Sequence, residues 1–497
     1  MFDPTILSIF MVVPILGIFI SSLFTIFIQN QKLQILEQII SVGIFLCNVI
    51  LIGIMVISFG RGVDMPSSIS DLFSINLVSL LILLLVQVVF FIVSIFSLKY
   101  ITPKKQSQFF IFYFSMNLGI NLTLLANNLF ALFICWELMV ISGYVLVSFN
   151  RTIEAFEAGF KYLIISSIGS LFMLFGIGLL SGLAGSLKFS DIASQNVIST
   201  DLGILSFAFI IIGFATTGGA FIFNQWLPDA HPEAPAPISA LLSGIVVNMG
   251  IYGLYKLFTL YITTNTTYDT NFSQIILFIG LITMFEGSLM VFAQFKKEFI
   301  DIKRILAYST ISHMGLLITI TPLNSKLSII ALIYHIISHS LSKSLLFLMA
   351  GYLQINYHTR DVRSLAGAGR KDKFVGVIII VGLLSLGAFP GTTGFISELL
   401  VFITIFSSGI SVDFYVFLGI ILFVIFNSIL AFGGYLWLMK YLVFNEESET
   451  IKSIDSTLEQ QTIMKYTAIE LVVLILFLGI FPNILIDYIN SILPLVK

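Results

Sequence analysis

Apolar residues fill this chain in long runs, and short polar stretches between them carry most of the charge. A helix needs about 20 consecutive apolar residues to cross a bilayer. Runs of that kind predict spanning helices at 5–28, 33–59, 72–98, 108–125, 127–149, 157–183 and 203–224. A second series follows at 235–262, 272–293, 301–321, 326–354, 374–408, 413–443 and 463–494, which makes fourteen. The stretch 374–408 is too long for one straight crossing and carries Pro390-Gly391 near its middle, so it reads as one broken span. Thr216-Thr217-Gly218-Gly219 marks a second break, in the seventh span. Two interrupted helices five spans apart point to inverted five-helix repeats, spans 4–8 and 9–13, because an odd offset reverses orientation. The expected fold is an all-α integral membrane protein. Its expected divisions are 1–107 (helices 1–3), 108–262 (first repeat), 263–443 (second repeat) and 444–497 (a cytoplasmic loop and the last helix).

The basic residues test that count independently. Loops after odd-numbered spans hold Lys32, Lys99, Lys104, Lys105, Arg151, Lys296, Lys297, Lys303, Arg304, Arg360, Arg363, Arg370, Lys371, Lys373, Lys440, Lys452 and Lys465, which is 17. The other side holds four, Arg61, Lys188, Lys326 and Lys497, while Lys161, Lys256 and Lys343 fall inside helices. Positive charge gathers on the cytoplasmic side, so the odd loops are expected there and both termini outside. An error of one span would scramble the alternation. The amino-terminal run is preceded by Asp3 rather than by basic residues and is longer than a signal-peptide core, so it reads as a first span, not a cleaved signal.

Composition removes whole classes of function. With 58% hydrophobic residues, 10% charged and a mean hydropathy of +1.05, the chain is neither a water-soluble globular protein nor disordered. A net charge of −2 argues against a nucleic-acid surface. Cys47 and Cys135 each lie in an apolar run, and no CxxC, Walker A or strand-linked GxGxxG pattern occurs. No cofactor and no metal are therefore expected on this chain, and the longest polar connections, 355–373 and 445–462, are too short to fold alone.

What stands out is ionisable groups inside spans, each of which is costly there and is a functional candidate by default. Glu137 lies mid-span, too deep to snorkel. His335, His339 and Lys343 recur every four residues and form one slightly drifting helical stripe, flanked by Ser338 and Ser342. Three titratable groups on one face favour a hydrated proton relay over isolated core histidines, and metal binding lacks a third acidic ligand nearby. Glu398 follows the helix-breaking FPGTTGFIS, a recurrent ion-site design in transporters. His313 has hydroxyl neighbours and is read equally as a core histidine or a relay member; Lys161 is equally able to snorkel. Lys256 and Glu470 read as interfacial, and Glu286 stays ambiguous.

The strings FICWELM, NQWLPDAHPEAPAPISALLSG, DIKRILAYSTISHMG, HIISHSLSKSLLFLMAG and FPGTTGFISELL resemble the antiporter-like membrane subunits of respiratory complex I (NADH:quinone oxidoreductase). The same superfamily includes Mrp-type cation/proton antiporter subunits and ion-pumping subunits of energy-converting membrane hydrogenases. The resemblance covers residues 70 to 440 in order. It implies fourteen helices with two broken ones in inverted repeats. It also implies proton-path roles for Glu137, Lys161, His231, His313, His335, His339, Lys343 and Glu398. Two positions depart from the pattern: the seventh-helix lysine falls at Thr217 and the eighth-helix lysine at Asn248. Neither side chain carries a proton near neutral pH, although both order water. Glu137 without a lysine partner would also be costlier to ionise.

The resemblance implies a membrane-arm subunit that moves protons, or sodium, in a redox-driven complex. Its partners would be homologous antiporter-like subunits and a peripheral redox arm. The expected location is a prokaryotic cytoplasmic membrane. Two alternatives stand beside this: a cation/proton antiporter subunit without redox partners, and a structural or coupling subunit that no longer pumps, for which Thr217 and Asn248 are the support.

Overall fold

In the computed structural model, the described residues are 4–27, 31–61, 71–195, 197, 200–264, 270–323, 325–408, 414–453 and 462–492. Lys497 and part of the polar connection 445–462 lie outside them. In chain order the helices are α1 (Pro4–Phe27), α2 (Gln31–Gly60), α3 (Leu77–Tyr100), α4 (Pro103–Leu125), α5 (Leu129–Val147), α6 (Ile153–Ala184) and α7 (Phe189–Ser194). Next come α8 (Asp201–Thr217), α9 (Leu227–Glu233), α10 (Ala236–Leu241), α11 (Val247–Thr264), α12 (Thr270–Gln294), α13 (Ile302–Ile320) and α14 (Lys326–Tyr357). The remainder are α15 (Ala368–Lys371), α16 (Lys373–Leu386), α17 (Thr393–Ser407), α18 (Phe414–Met439), α19 (Glu449–Ser453), α20 (Thr462–Ile480) and α21 (Asn483–Ile492). Among the described residues the only β pairing is three isolated bridges.

Twelve of these stretches are long and apolar enough to cross a membrane; α8, α16 and α17 are shorter and apolar. The protein is thus an all-α, multi-pass integral membrane protein. Helix starts follow the capping chemistry of the sequence. Asn76, Asn128, Thr152, Asp301, Ser325 and Asp372 each accept a backbone N–H of the first turn of the helix they precede. Both expected breaks are present. The seventh span stops at Thr217 rather than 224, because Gly219 (φ +67°) and Ile222 (φ +79°) take left-handed conformations that no helix continues through. The α16–α17 break runs through Ala388 (φ +54°), Pro390 and Gly391 (φ +92°). The last span, expected over 463–494, is interrupted at Phe481-Pro482, where proline supplies no N–H.

The chain gathers into two compact units. The first holds the described parts of 1–217, 252–268 and 488–497. Its α1–α4 core includes Phe45 stacked on Phe114 (ring centroids 4.7 Å apart) and Tyr113 donating to the Phe90 carbonyl at 2.6 Å. A closed ring of amides ties α3 to α4. Gln87 donates to Asn121 at 2.7 Å, Asn121 to Asn117 at 3.0 Å, and Asn117 back to Gln87 at 3.4 Å, all three side chains buried. The second unit holds 218–251 and 269–487. Its centre is α14, buried along most of its length and packed against α10, α13, α16, α17 and α20.

Candidate functional site

The second unit brings most of the expected site residues together. Because α14 is 32 residues long, His335, His339 and Lys343 rise along it one turn apart and all are buried. His313, on α13, meets His335 with its Nδ1 3.3 Å from Nε2. Its ring lies 5.4 Å from that of His339. Lys343 donates to the Leu306 carbonyl at 3.0 Å and to Ser309 Oγ, both on α13. It has no carboxylate partner among the described residues. When protonated, a group so placed is balanced only by these dipoles, so small changes in the local field act strongly on it.

Glu398, on α17, is 8% exposed. It shares a cavity of about 10 Å³ with His313, His335, His339, Ser342 and Ser385, which is room for about one water. Hydroxyls line the way from α14 to the helix break. Ser338 donates to Thr393 at 3.0 Å, Ser342 to Ser385 at 2.7 Å, and Ser385 and Thr393 are 3.3 Å apart. A Cβ at Gly394 would collide with the Ser385 backbone, so glycine there is what lets the two halves of the broken span close on this hydroxyl group.

Tyr435, on α18, was not legible as a site residue. Its phenol oxygen lies 3.4 Å from His313 Nε2, with Ser309 and Glu398 also interacting with it. It is 1% exposed and stacks on His313 at 10°. Ser309, which accepts from Lys343, was equally invisible.

Asn248, at the departed eighth-helix position, is buried beside the same histidines. It donates to the Gly244 carbonyl at 2.6 Å and to Ser340 at 3.1 Å, with His339 Nδ1 3.5 Å away. A π-helical turn over Leu242–Val246 places Gly244 there, a feature often found at functional positions. His231 is fully buried on α9, its ring 5.0 Å from Phe347, within electrostatic reach of Lys343 and His339. The carbonyls of its short helix are held by three cations. Arg304 donates to Pro228 at 3.1 Å, Lys303 to Ala234 at 2.9 Å, and Arg360 to Pro232 while pairing with Glu233 at 3.0 Å. Lys303, counted among the loop charges, is thus a buried residue.

The remaining expected residues lie in the first unit. Glu137 is half-buried on α5, with one carboxylate oxygen unpartnered and Ser170 and Tyr162 beside it. Lys161 is 47% exposed and pairs with Glu157 at 2.8 Å, one turn away on α6. Thr217 ends α8 and is buried. Lys256 donates to the Ala126 carbonyl and sits 4.6 Å over the Phe189 ring. Among the described residues no three His, Cys, Asp or Glu side chains are placed to hold a metal ion.

The family described as NADH:quinone oxidoreductase/Mrp antiporter, TM matches residues 126–430, which contain the histidines, Lys343 and Glu398 of this cluster but not Tyr435. The chain belongs to that family. As an antiporter-like chain it is 30% identical over 402 residues to a Na(+)/H(+) antiporter subunit of Alkalihalophilus pseudofirmus, covering 78% of each protein. It is 29% identical over 362 residues to a hydrogenase-4 component F homolog of Methylacidiphilum infernorum, covering 69% of this chain and 74% of the relative. In fold, it superposes on a chain of the membrane-bound sulfane sulfur reductase, an archaeal respiratory membrane complex. The TM-score is 0.85 at 22% identity, over 98% of this chain and 97% of the other. A chain of the Mrp complex of Dietzia sp. gives 0.81 at 17% identity, over 97% and 96%.

Proposed function

We propose that this antiporter-like chain moves protons, or sodium coupled to protons, through its second unit as the membrane subunit of a larger complex. The observation that carries the reading is the run of buried polar groups in that unit, hydrogen-bonded in segments that meet at one small cavity. It runs from Lys343 through Ser309 and Tyr435 to His313 and His335, and on through the Ser338–Thr393 hydroxyls to the cavity of Glu398. Every link is a group that donates and accepts protons, as stepwise transfer through a dry interior requires. In this reading Lys343 is the loading group and Glu398 the release group, with His339 and His231 tuning the field around them. A charge arriving at a neighbouring subunit alters the cost of keeping Lys343 protonated, and the proton moves on.

Its partners are other membrane subunits, as both solved relatives are parts of multi-subunit membrane complexes. A peripheral redox arm is part of the proposal, supported by the hydrogenase and NADH-quinone oxidoreductase relatives. The Lys/Arg distribution supports a cytoplasmic membrane with both termini outside. Thr217, which ends the first unit's α8, and Asn248, in the second unit, favour a second reading: with no lysine at either expected position, the amino-terminal repeat serves coupling or assembly rather than conduction.

The test is isolation of the tagged native complex in mild detergent, with mass spectrometry of its companions and proton release measured after reconstitution. Iron–sulfur, flavin or nickel subunits would establish the redox complex; small membrane companions alone would replace it with the antiporter. Lys343→Ala and Glu398→Gln are each expected to abolish ion movement while the complex still assembles. Undiminished movement in both variants would end the reading.

A further inference from the structure

Separate from the polar path, the first unit holds a cavity of about 470 Å³ between α4, α5 and α6. Its walls are apolar, formed by Phe112, Val145, Phe156, Phe160 and Leu163 with their neighbours. It lies at the ends of the helices, where Ser148–Asn150 turns the chain from α5 into α6. A loop between two spanning helices sits at the membrane surface, so the cavity opens at headgroup depth.

The rim carries one charged side chain, Arg151. Its backbone is left-handed (φ +59°), a conformation uncommon for any residue but glycine. The 3₁₀ turn before it enforces this, with the Arg151 N–H donating to the Ser148 carbonyl at 3.0 Å. The guanidinium is thereby held against α4, where it donates to Gln108 Oε1 at 3.2 Å, and Gln108 also lines the cavity. That partner is neutral. No carboxylate pairs with Arg151 among the described residues, and nearby Glu157 is engaged by Lys161. Exposed Lys99, Lys104 and Lys105 flank the α3–α4 turn at this same end. An apolar slot with an unneutralised, oriented guanidinium at its mouth and more positive charge around it matches one occupant. That occupant is an anionic amphiphile with its tail inside and its phosphate at the rim.

We infer that this cavity is a binding site for an anionic phospholipid, with an acyl chain between α4, α5 and α6 and the headgroup phosphate on Arg151. A zwitterionic lipid fills the slot equally well but brings a choline cation to a positive rim, so the site discriminates by headgroup. Arg151 lies outside the proposed ion path, so the site is independent of that reading.

The experiment titrates the purified full-length chain with dioleoyl-phosphatidylglycerol and dioleoyl-phosphatidylcholine under native mass spectrometry. Phosphatidylglycerol is expected to be retained in preference. Arg151→Gln should weaken its retention about fivefold, the worth of one interfacial cation, and leave phosphatidylcholine unchanged. Arg151→Lys should retain most of the preference. As Arg151 is exposed, neither variant threatens folding. A phosphatidylglycerol carrying a mid-chain diazirine should label peptides of α4, α5 and α6, and Val145→Trp should suppress that labelling. An unchanged headgroup preference in Arg151→Gln, or labelling elsewhere, overturns the assignment. So does cross-linking of Phe156→Cys to another subunit in the native complex, which would show the slot covered by protein.

Discussion

Lys343 and Glu398 stand on different helices, α14 and α17, and neither forms an ion pair among the described residues. A buried charge without a counter-charge costs several kcal/mol, and under the proposed function that cost is borne because the charge moves. Tyr435 stands between the two: its phenol interacts with Ser309 and lies 3.4 Å from His313, and it feels the charge of Glu398. Tyr435→Phe keeps the ring and its stacking but removes the hydroxyl. Ion movement is expected to fall about five- to tenfold, the worth of one or two hydrogen bonds, with thermal stability nearly unchanged. An equal loss of stability and transport would instead make Tyr435 a packing residue. The sequence made the acids, histidines and lysine conspicuous, since such groups are rare in apolar runs. It offered no reason to choose Tyr435 among 17 tyrosines, or Ser309 among many serines. Their importance comes from tertiary proximity, across 34 residues for Lys343 and Ser309 and 122 for Tyr435 and His313.

Helices α12 and α13 approach closely where glycines line their seam. A Cβ at Gly280, Gly287 or Gly315 would run into the partner's backbone. His313 lies two residues from Gly315, so this seam also sets the position of the histidine. Gly315→Val is expected to destabilise the protein by about 1–3 kcal/mol, read as a lower melting temperature in detergent. Gly178→Val, on an open face of α6, should leave it unchanged. Breaks in helices were legible where glycine or proline interrupts the run, as at Pro390-Gly391 and Gly218-Gly219. That the helix does not resume as far as 224 was not, because the apolar run continues through Phe221, Ile222 and Phe223 although the backbone turns. The cation clamp on α9 was also hidden. Lys303, Arg304 and Arg360 read as loop charges, yet Lys303 and Arg360 donate to carbonyls at the C-terminal end of a short helix and Arg304 to one at its start.

For the molecule as a whole, the fold was legible because the bilayer imposes so few solutions: apolar length and Lys/Arg alternation already restrict the spans. The expected orientation is directly testable in a chain with Cys47 and Cys135 replaced by alanine. In intact cells an impermeant maleimide should label Lys188→Cys at once and Lys104→Cys only after permeabilisation. The reverse pattern would invert the whole topology.

The amide ring of Gln87, Asn117 and Asn121 has a consequence for how this protein can change over generations. Each member donates to the next in one rotational sense. Losing any one leaves a buried donor and a buried acceptor unanswered, at about 1–3 kcal/mol each. Replacing all three by apolar residues of similar volume leaves nothing unanswered. Asn121→Leu alone should therefore lower the melting temperature more than the triple replacement by leucine, a reversal of the usual accumulation of damage. Single steps away from the ring lead downhill in fitness although the far side is level ground, so a lineage that has closed it is held there by its own intermediates.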